Sequence, residues 1–214
     1  HQERRGAFPL LPPALLRLPS VRFGLLIAVL FFSCWSGFMF VVALLLQSGA
    51  GLSPFQSGNA FITLGVIYFL ASLQTARLVE RFGKVVTPRL GCVVQMTGLL
   101  VLMLTLSRAW PQLGVLSLVP GSLLIGSGQA LIVSCFFRIG LSDVPVTRAG
   151  AGGAMLTTVQ QAALGLGPAL LGAVFAHRLH TTGGDYLQAV LTALAVELCL
   201  MAVLVASAVR YRCR

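Results

Sequence analysis

Six apolar runs dictate what this chain can fold into. They cover residues 23–46, 58–76, 90–106, 113–137, 151–175 and 187–209. A helix needs about 20 apolar residues to cross a bilayer. Lipid offers no partner for stray backbone N–H and C=O groups, so a spanning segment is either a helix or a strand of a closed barrel. Barrel strands alternate in segments of about 10 residues, and no such alternation occurs here. Composition agrees: 57% of the residues are apolar and 9% charged, with a mean hydropathy of +0.93, where a soluble domain carries about a quarter charged residues. The expected fold class is an all-α integral membrane protein of six transmembrane helices, with no separate soluble domain.

The net charge of +10 reports topology rather than nucleic-acid binding. With six spans, both ends lie on one face. That face then holds Arg4, Arg5, Arg17, Arg22, Arg77, Arg81, Lys84, Arg89, Arg138, Arg148, Arg210, Arg212 and Arg214, which are 13 of the 15 basic residues. Only Arg108 and Arg178 fall on the other. Cytoplasmic loops carry such an excess of Lys and Arg, so both termini are expected in the cytoplasm and the protein in the cell membrane. A nucleic-acid surface would need one contiguous basic face. Residues 1–22 read as a cytoplasmic lead, 23–209 as the bundle and 210–214 as a basic tail. The chain opens on His1 with a charged, proline-containing stretch resembling an interhelical loop, as expected of a piece of a longer protein.

Helix punctuation is sharp. Ser53, Pro54 and Gln56 form a capping-box pattern before the second span. Thr87 and Pro88 suggest the same device for the third, and Pro111 is expected to open the fourth. Pro120 and Pro168 fall within spans and are expected to kink them. Gly, Ala and Ser crowd the fourth and fifth spans, where close backbone approach drives helix packing in lipid. Cys34, Cys92, Cys135, Cys199 and Cys213 show neither disulfide nor zinc spacing. His177 and His180 have no third ligand nearby, so no metal is expected.

The order of elements resembles the C-terminal half of a major facilitator superfamily transporter, in the fourteen-helix drug:proton antiporter (EmrB/QacA-type) branch. Three stretches carry the likeness: "LLRLPSVRFGLL" with "LLLQSGAGLSPFQSG", then "ARLVERFGKVVTPRLG", then "VPVTRAGAGGAMLTTVQQAALGLGPALLGAVF". The second is similar to the superfamily's loop signature between its second and third helices, with Glu80 where that pattern has Asp. The resemblance implies a gating latch at Glu80, Arg81, Gly83 and Lys84. It also implies a helix-bend and packing element at Gly167, Pro168 and Gly172, the trailing glycine standing one position late. Alternating access against a missing N-terminal half follows from it, powered by a proton gradient and needing no bound cofactor.

Within the spans, Glu197 is the one ionisable residue near mid-membrane. A charge there costs about 2.5 kcal/mol or more on insertion scales. Two roles stand open for it: proton coupling, or a hydrogen-bonded structural carboxyl. Trp35, Phe38, Tyr68 and Phe69 are candidates for an aromatic wall that an amphipathic or cationic substrate would contact. Gln129, Gln160 and Gln161 are candidate cavity or interface groups, and Gln95 reads as packing glue. No nucleophile–base set points to an enzyme. The expected function is half of a proton-coupled multidrug exporter. The alternatives are a facilitator exporting another metabolite (amino acid, siderophore or antibiotic) and a stand-alone six-helix membrane protein without transport activity.

Overall fold

The computed structural model describes residues 13–83 and 85–210. Six long apolar helices account for nearly all of them: α1 (Pro19–Gly49), α2 (Pro54–Phe82), α3 (Val86–Ala109), α4 (Val115–Gly140), α5 (Val146–Thr181) and α6 (Tyr186–Arg210). A 3₁₀ turn, Pro13–Arg17, leads into α1. The chain is thus a multi-pass membrane protein. The helices run past their apolar runs into polar ends, because hydropathy marks the lipid-facing length and not the turns that emerge from it.

The capping box is present. Ser53 Oγ accepts from the Gln56 N–H at 3.2 Å, and Gln56 Oε1 accepts from the Ser53 N–H at 3.0 Å. Other punctuation differs from expectation. Thr87 is not a cap: α3 starts at Val86 with Val85 before it, and the Thr87 hydroxyl instead donates backwards to the Gly83 carbonyl at 2.8 Å. Pro111 lies in the loop before α4, whose first turn is the 3₁₀ segment Val115–Leu118. Pro120 stands just inside the start of the α-helical part of α4, where a missing N–H is tolerated, and only Pro168 is interior. Helix α1 contains two π-helical segments, Ala28–Phe32 and Leu45–Gly49, which no sequence pattern announced.

Glycine sets the helix packing. On α3 and α4, a methyl group added at Gly91 would meet the Gly128 carbonyl at 2.8 Å, and one at Gly128 would meet the Gly91 carbonyl at 2.5 Å. One turn further along, a methyl at Gly98 would strike the Ile125 N–H group at 2.7 Å. Helix α5 seats on α1 through Gly37 and Gly167. There an added methyl at Gly167 would collide with the Ser33 carbonyl, and Ser33 Oγ donates to the Ala163 carbonyl at 3.1 Å. Helix α2 rests on α4 at Gly126, opposite Leu64 and Ile67.

Two clasps bring alternate helix ends onto one face. The Ser20 N–H donates to Asp143 Oδ2 (3.2 Å), and the Asp143 N–H donates to Ser20 Oγ (3.3 Å), joining the start of α1 to the α4–α5 loop. The Arg89 guanidinium, at the start of α3, donates to the Ala208 carbonyl near the end of α6. A cation on the last carbonyls of a helix also complements its dipole. Arg22, Arg81, Arg138, Arg148 and Arg210 belong to this basic end, and Arg108 and Arg178 to the opposite one.

Burial is uneven. In their most apolar stretches, α1 and α4 are 56% buried, whereas α5 is 22% and α2 only 11% buried. Two of the six helices therefore present whole flanks to their surroundings.

Substituting Gly167 by Leu is expected to cost about 1–3 kcal/mol through overpacking, because the obstacle is the backbone of α1. Gly165→Ala, with open space around it, should be neutral. Thermal unfolding of the full-length protein in detergent distinguishes the two.

Candidate functional site

The charged turn between α2 and α3 is built around Gly83. Its φ of +85° and ψ of 159° lie in a region only glycine occupies readily. Thr87, buried in the first turn of α3, holds that bend through its bond to the Gly83 carbonyl. The Arg81 guanidinium lies over the Phe82 ring, 5.5 Å from its centroid, within cation–π range. Arg77 and Glu80 are exposed along the end of α2. Lys84 lies outside the described residues.

The aromatic candidates separate. Trp35 of α1 and Tyr68 of α2 stack, with centroids 6.2 Å apart and planes inclined by 28°. Phe31 and Phe32 back the indole at 6.0 and 5.9 Å. Both members of the stack are half-buried, so they offer a partly open aromatic surface between two helices. Phe38, by contrast, is 3% exposed and belongs to the interior core with Val41, Val42 and Leu171. It is not on an open wall. Phe69 is 60% exposed on the bare flank of α2.

The glutamines separate in the same way. Gln161 is exposed and Gln160 half-buried on α5. Gln129 is fully enclosed on α4, and Gln95 equally so on α3. These two lie at the tight α3–α4 crossing, since a methyl added at Gly128 would touch Gln95 Cβ at 2.8 Å.

Glu197 completes this inner group from α6 and is itself fully buried. The Gln95 amide approaches its carboxyl without closing a bond of ordinary length, and the polar atoms of Gln95, Gln129 and Glu197 have no other hydrogen-bond partner. Cys34 of α1 lies nearby. A carboxyl that keeps its proton offers one donor and one acceptor, the complement of a primary amide. The approach of Glu197 on α6 to Gln95 on α3 is tertiary and was invisible in the sequence.

The Gly167–Pro168–Gly172 element lies on the face of α5 that meets α1. Gly167 sits against Ser33 and Gly37, and Gly172 against the Phe40 ring. His177 and His180 are exposed at the far end of α5. Among the described residues no three metal-ligating side chains gather.

One feature was missed from sequence. Between α2 and α4 a cavity of about 140 Å³ is lined by Ser72, Thr75, Ala76, Val79, Ser134 and Arg138. Its signal was available: Ser72 and Thr75 (i, i+3) and Ser134 and Arg138 (i, i+4) each share a helix face.

Six apolar spans with a glycine-bent basic turn after the second make this a multi-pass membrane protein. The Major Facilitator Superfamily model matches residues 2–168, and the chain belongs to that family. It is 35% identical over 175 residues, 81% of its length, to the probable actinorhodin transporter of Streptomyces coelicolor. It is 27% identical over 186 residues (83% of the chain) to the tetracenomycin C resistance and export protein of Streptomyces glaucescens. It is 28% identical over 187 residues (87%) to the multidrug resistance protein Stp of Mycobacterium tuberculosis. The chain spans about a third of the length of these relatives, from 30% to 34%.

Thr87→Val removes the hydroxyl that holds the turn and is expected to cost about 1 kcal/mol. Gly83→Val should cost about 1–3 kcal/mol, since Val is strained at that φ and ψ. Equal, negligible shifts in unfolding temperature for both would show that the turn is not rigidly held.

Proposed function

We propose that this chain is the C-terminal half of a proton-driven exporter of small amphipathic or cationic compounds. It works by alternating access against an N-terminal half. The observation that carries the reading is the family match, joined to relatives named as antibiotic and multidrug exporters. The bare flanks support it: α2 and α5, with 11% and 22% of their apolar windows buried, are the helices a second half would cover. The resemblance makes Glu80, Arg81, Gly83 and Lys84 the candidate latch, and the exposure of Glu80 and Arg81 at the end of α2 supports it. The basic end is cytoplasmic, on the strength of the charge bias.

The Trp35–Tyr68 stack supports aromatic substrates, because flat rings and cations both find favourable contact on such faces. Gln160 and Gln161 supply polar contacts from α5 across the cavity, and the close α1–α5 seat at Gly167 and Gly172 lets the two helices rock as a pair. Phe38 and Gln129 serve packing.

For Glu197 the enclosure favours the structural role. Its carboxyl is fully enclosed, beside Gln95 of α3 and Cys34 of α1. The coupling carboxyl then lies in the other half, and Glu197 acts as the buried polar neighbour of Gln95.

The test is uptake by everted vesicles holding the full-length protein, driven by an imposed pH gradient, with a fluorescent aromatic cation as substrate. Gradient-dependent accumulation is expected, and its absence across a panel of aromatic and amphipathic compounds would refute export. Trp35→Ala should lower uptake at least fivefold with expression unchanged. Glu197→Gln should retain at least half of wild-type uptake, and a tenfold loss would instead make Glu197 the proton site.

A further inference from the structure

A groove of about 490 Å³ opens at the basic end between the start of α1 and the end of α6, lined by Pro19, Arg22, Phe23, Leu26, Ser207 and Arg210. Its chemistry is graded. Arg22 and Arg210, both exposed, sit at the lip on different helices, and the lining contains no carboxylate. One turn deeper, about 5–6 Å along each helix, the lining becomes Leu26 on one side and the Ser207 hydroxyl on the other. Phe23, 6% exposed, forms the floor. The surrounding charges reinforce the lip. Arg89 is bonded to the Ala208 carbonyl beside the groove, and Arg17 is exposed one turn before α1. The acid of this region, Asp143, is engaged by Ser20 on the other side of α1.

We infer that this groove binds an anionic phospholipid, its phosphate between Arg22 and Arg210 and an acyl chain along Phe23 and Leu26. The chain crosses a membrane, so the lip lies at headgroup level and the deeper part at the level of the tails. Two guanidinium groups line one groove from separate helices, and each can donate charge-assisted hydrogen bonds to phosphate oxygens. Basic clefts between helices at a cytoplasmic membrane surface attract acidic headgroups, where anionic lipid is abundant. A soluble anion would fill the lip alone and leave the apolar floor uncovered; a lipid covers both. A bound lipid would also tie the first helix of the half to its last.

The full-length protein, purified in detergent and offered equal amounts of phosphatidylglycerol and phosphatidylcholine, tests this by native mass spectrometry. Wild type is expected to retain phosphatidylglycerol at least fivefold over phosphatidylcholine. The Arg22→Gln/Arg210→Gln double variant should lose that preference, while Arg178→Gln, at the opposite end, keeps it. A second measurement locates the lipid. With Trp35, Trp110 and any tryptophan in the rest of the full-length protein replaced by Phe, Leu26→Trp should be quenched at least twofold more by brominated phosphatidylglycerol than by brominated phosphatidylcholine. Equal retention of the two lipids by wild type, an undiminished preference in the double variant, or equal quenching would each overturn the assignment.

Discussion

Close backbone contact at glycine is the interaction on which this half-bundle depends. Lipid tails are as apolar as Leu, so no gain comes from hiding one helix against another. Association has to come from van der Waals contact and from the few polar groups within reach. Gly91 against Gly128, Gly167 against Ser33 and Gly37, and Gly126 against Leu64 and Ile67 bring α3, α4, α5, α1 and α2 to distances that a single methyl would prevent. Gln95, with Glu197 beside it, lies at the first of these crossings, and the Ser33 hydroxyl bonds across the second.

The packing leaves a division of labour. α1 and α4 are the most enclosed helices and carry the interior core, while α2 and α5 are bare along their flanks. A bundle organised in this way has one side finished and one side waiting for cover. The Trp35–Tyr68 stack lies between an enclosed helix and a bare one, where a cavity shared with a second half would form. The turn bent at Gly83 and held by Thr87 stands at the basic end of α2, on the helix with the barest flank. The proposed alternating access needs the six helices to move as one unit, and the glycine seats are the contacts that would hold them together.

Much of this was legible in the sequence, for physical reasons. Lipid forces long apolar runs, so the six helices could be counted and their order given. The Ser53–Gln56 box was legible because both bonds join residues three apart. Legibility failed where the cause was not local. Thr87 before Pro88 looks like a cap, yet its hydroxyl is claimed by the turn behind it. Pro120 sits in an apolar run, but the run begins before the α-helix does, so the proline falls at a helix start. Phe38 and Gln129 have side chains suited to a cavity wall, and only the rotation of their helices, set by the glycine contacts, turns them inward. The π segments of α1 and the approach of Glu197 to Gln95 are products of packing that no spacing in one helix encodes.

The central claim is that α2 and α5 face a water-filled boundary with another half and α3 and α6 face lipid. Single cysteines introduced into a cysteine-free full-length protein in membranes test it through labelling by a polar, water-soluble maleimide. Cysteines replacing Phe69 on α2 and Gln161 on α5 should label, at least in one access state. Cysteines replacing Leu100 on α3 and Val203 on α6, equally bare in this half, should not. The reverse pattern, or labelling of none of the four in any state, would contradict the account.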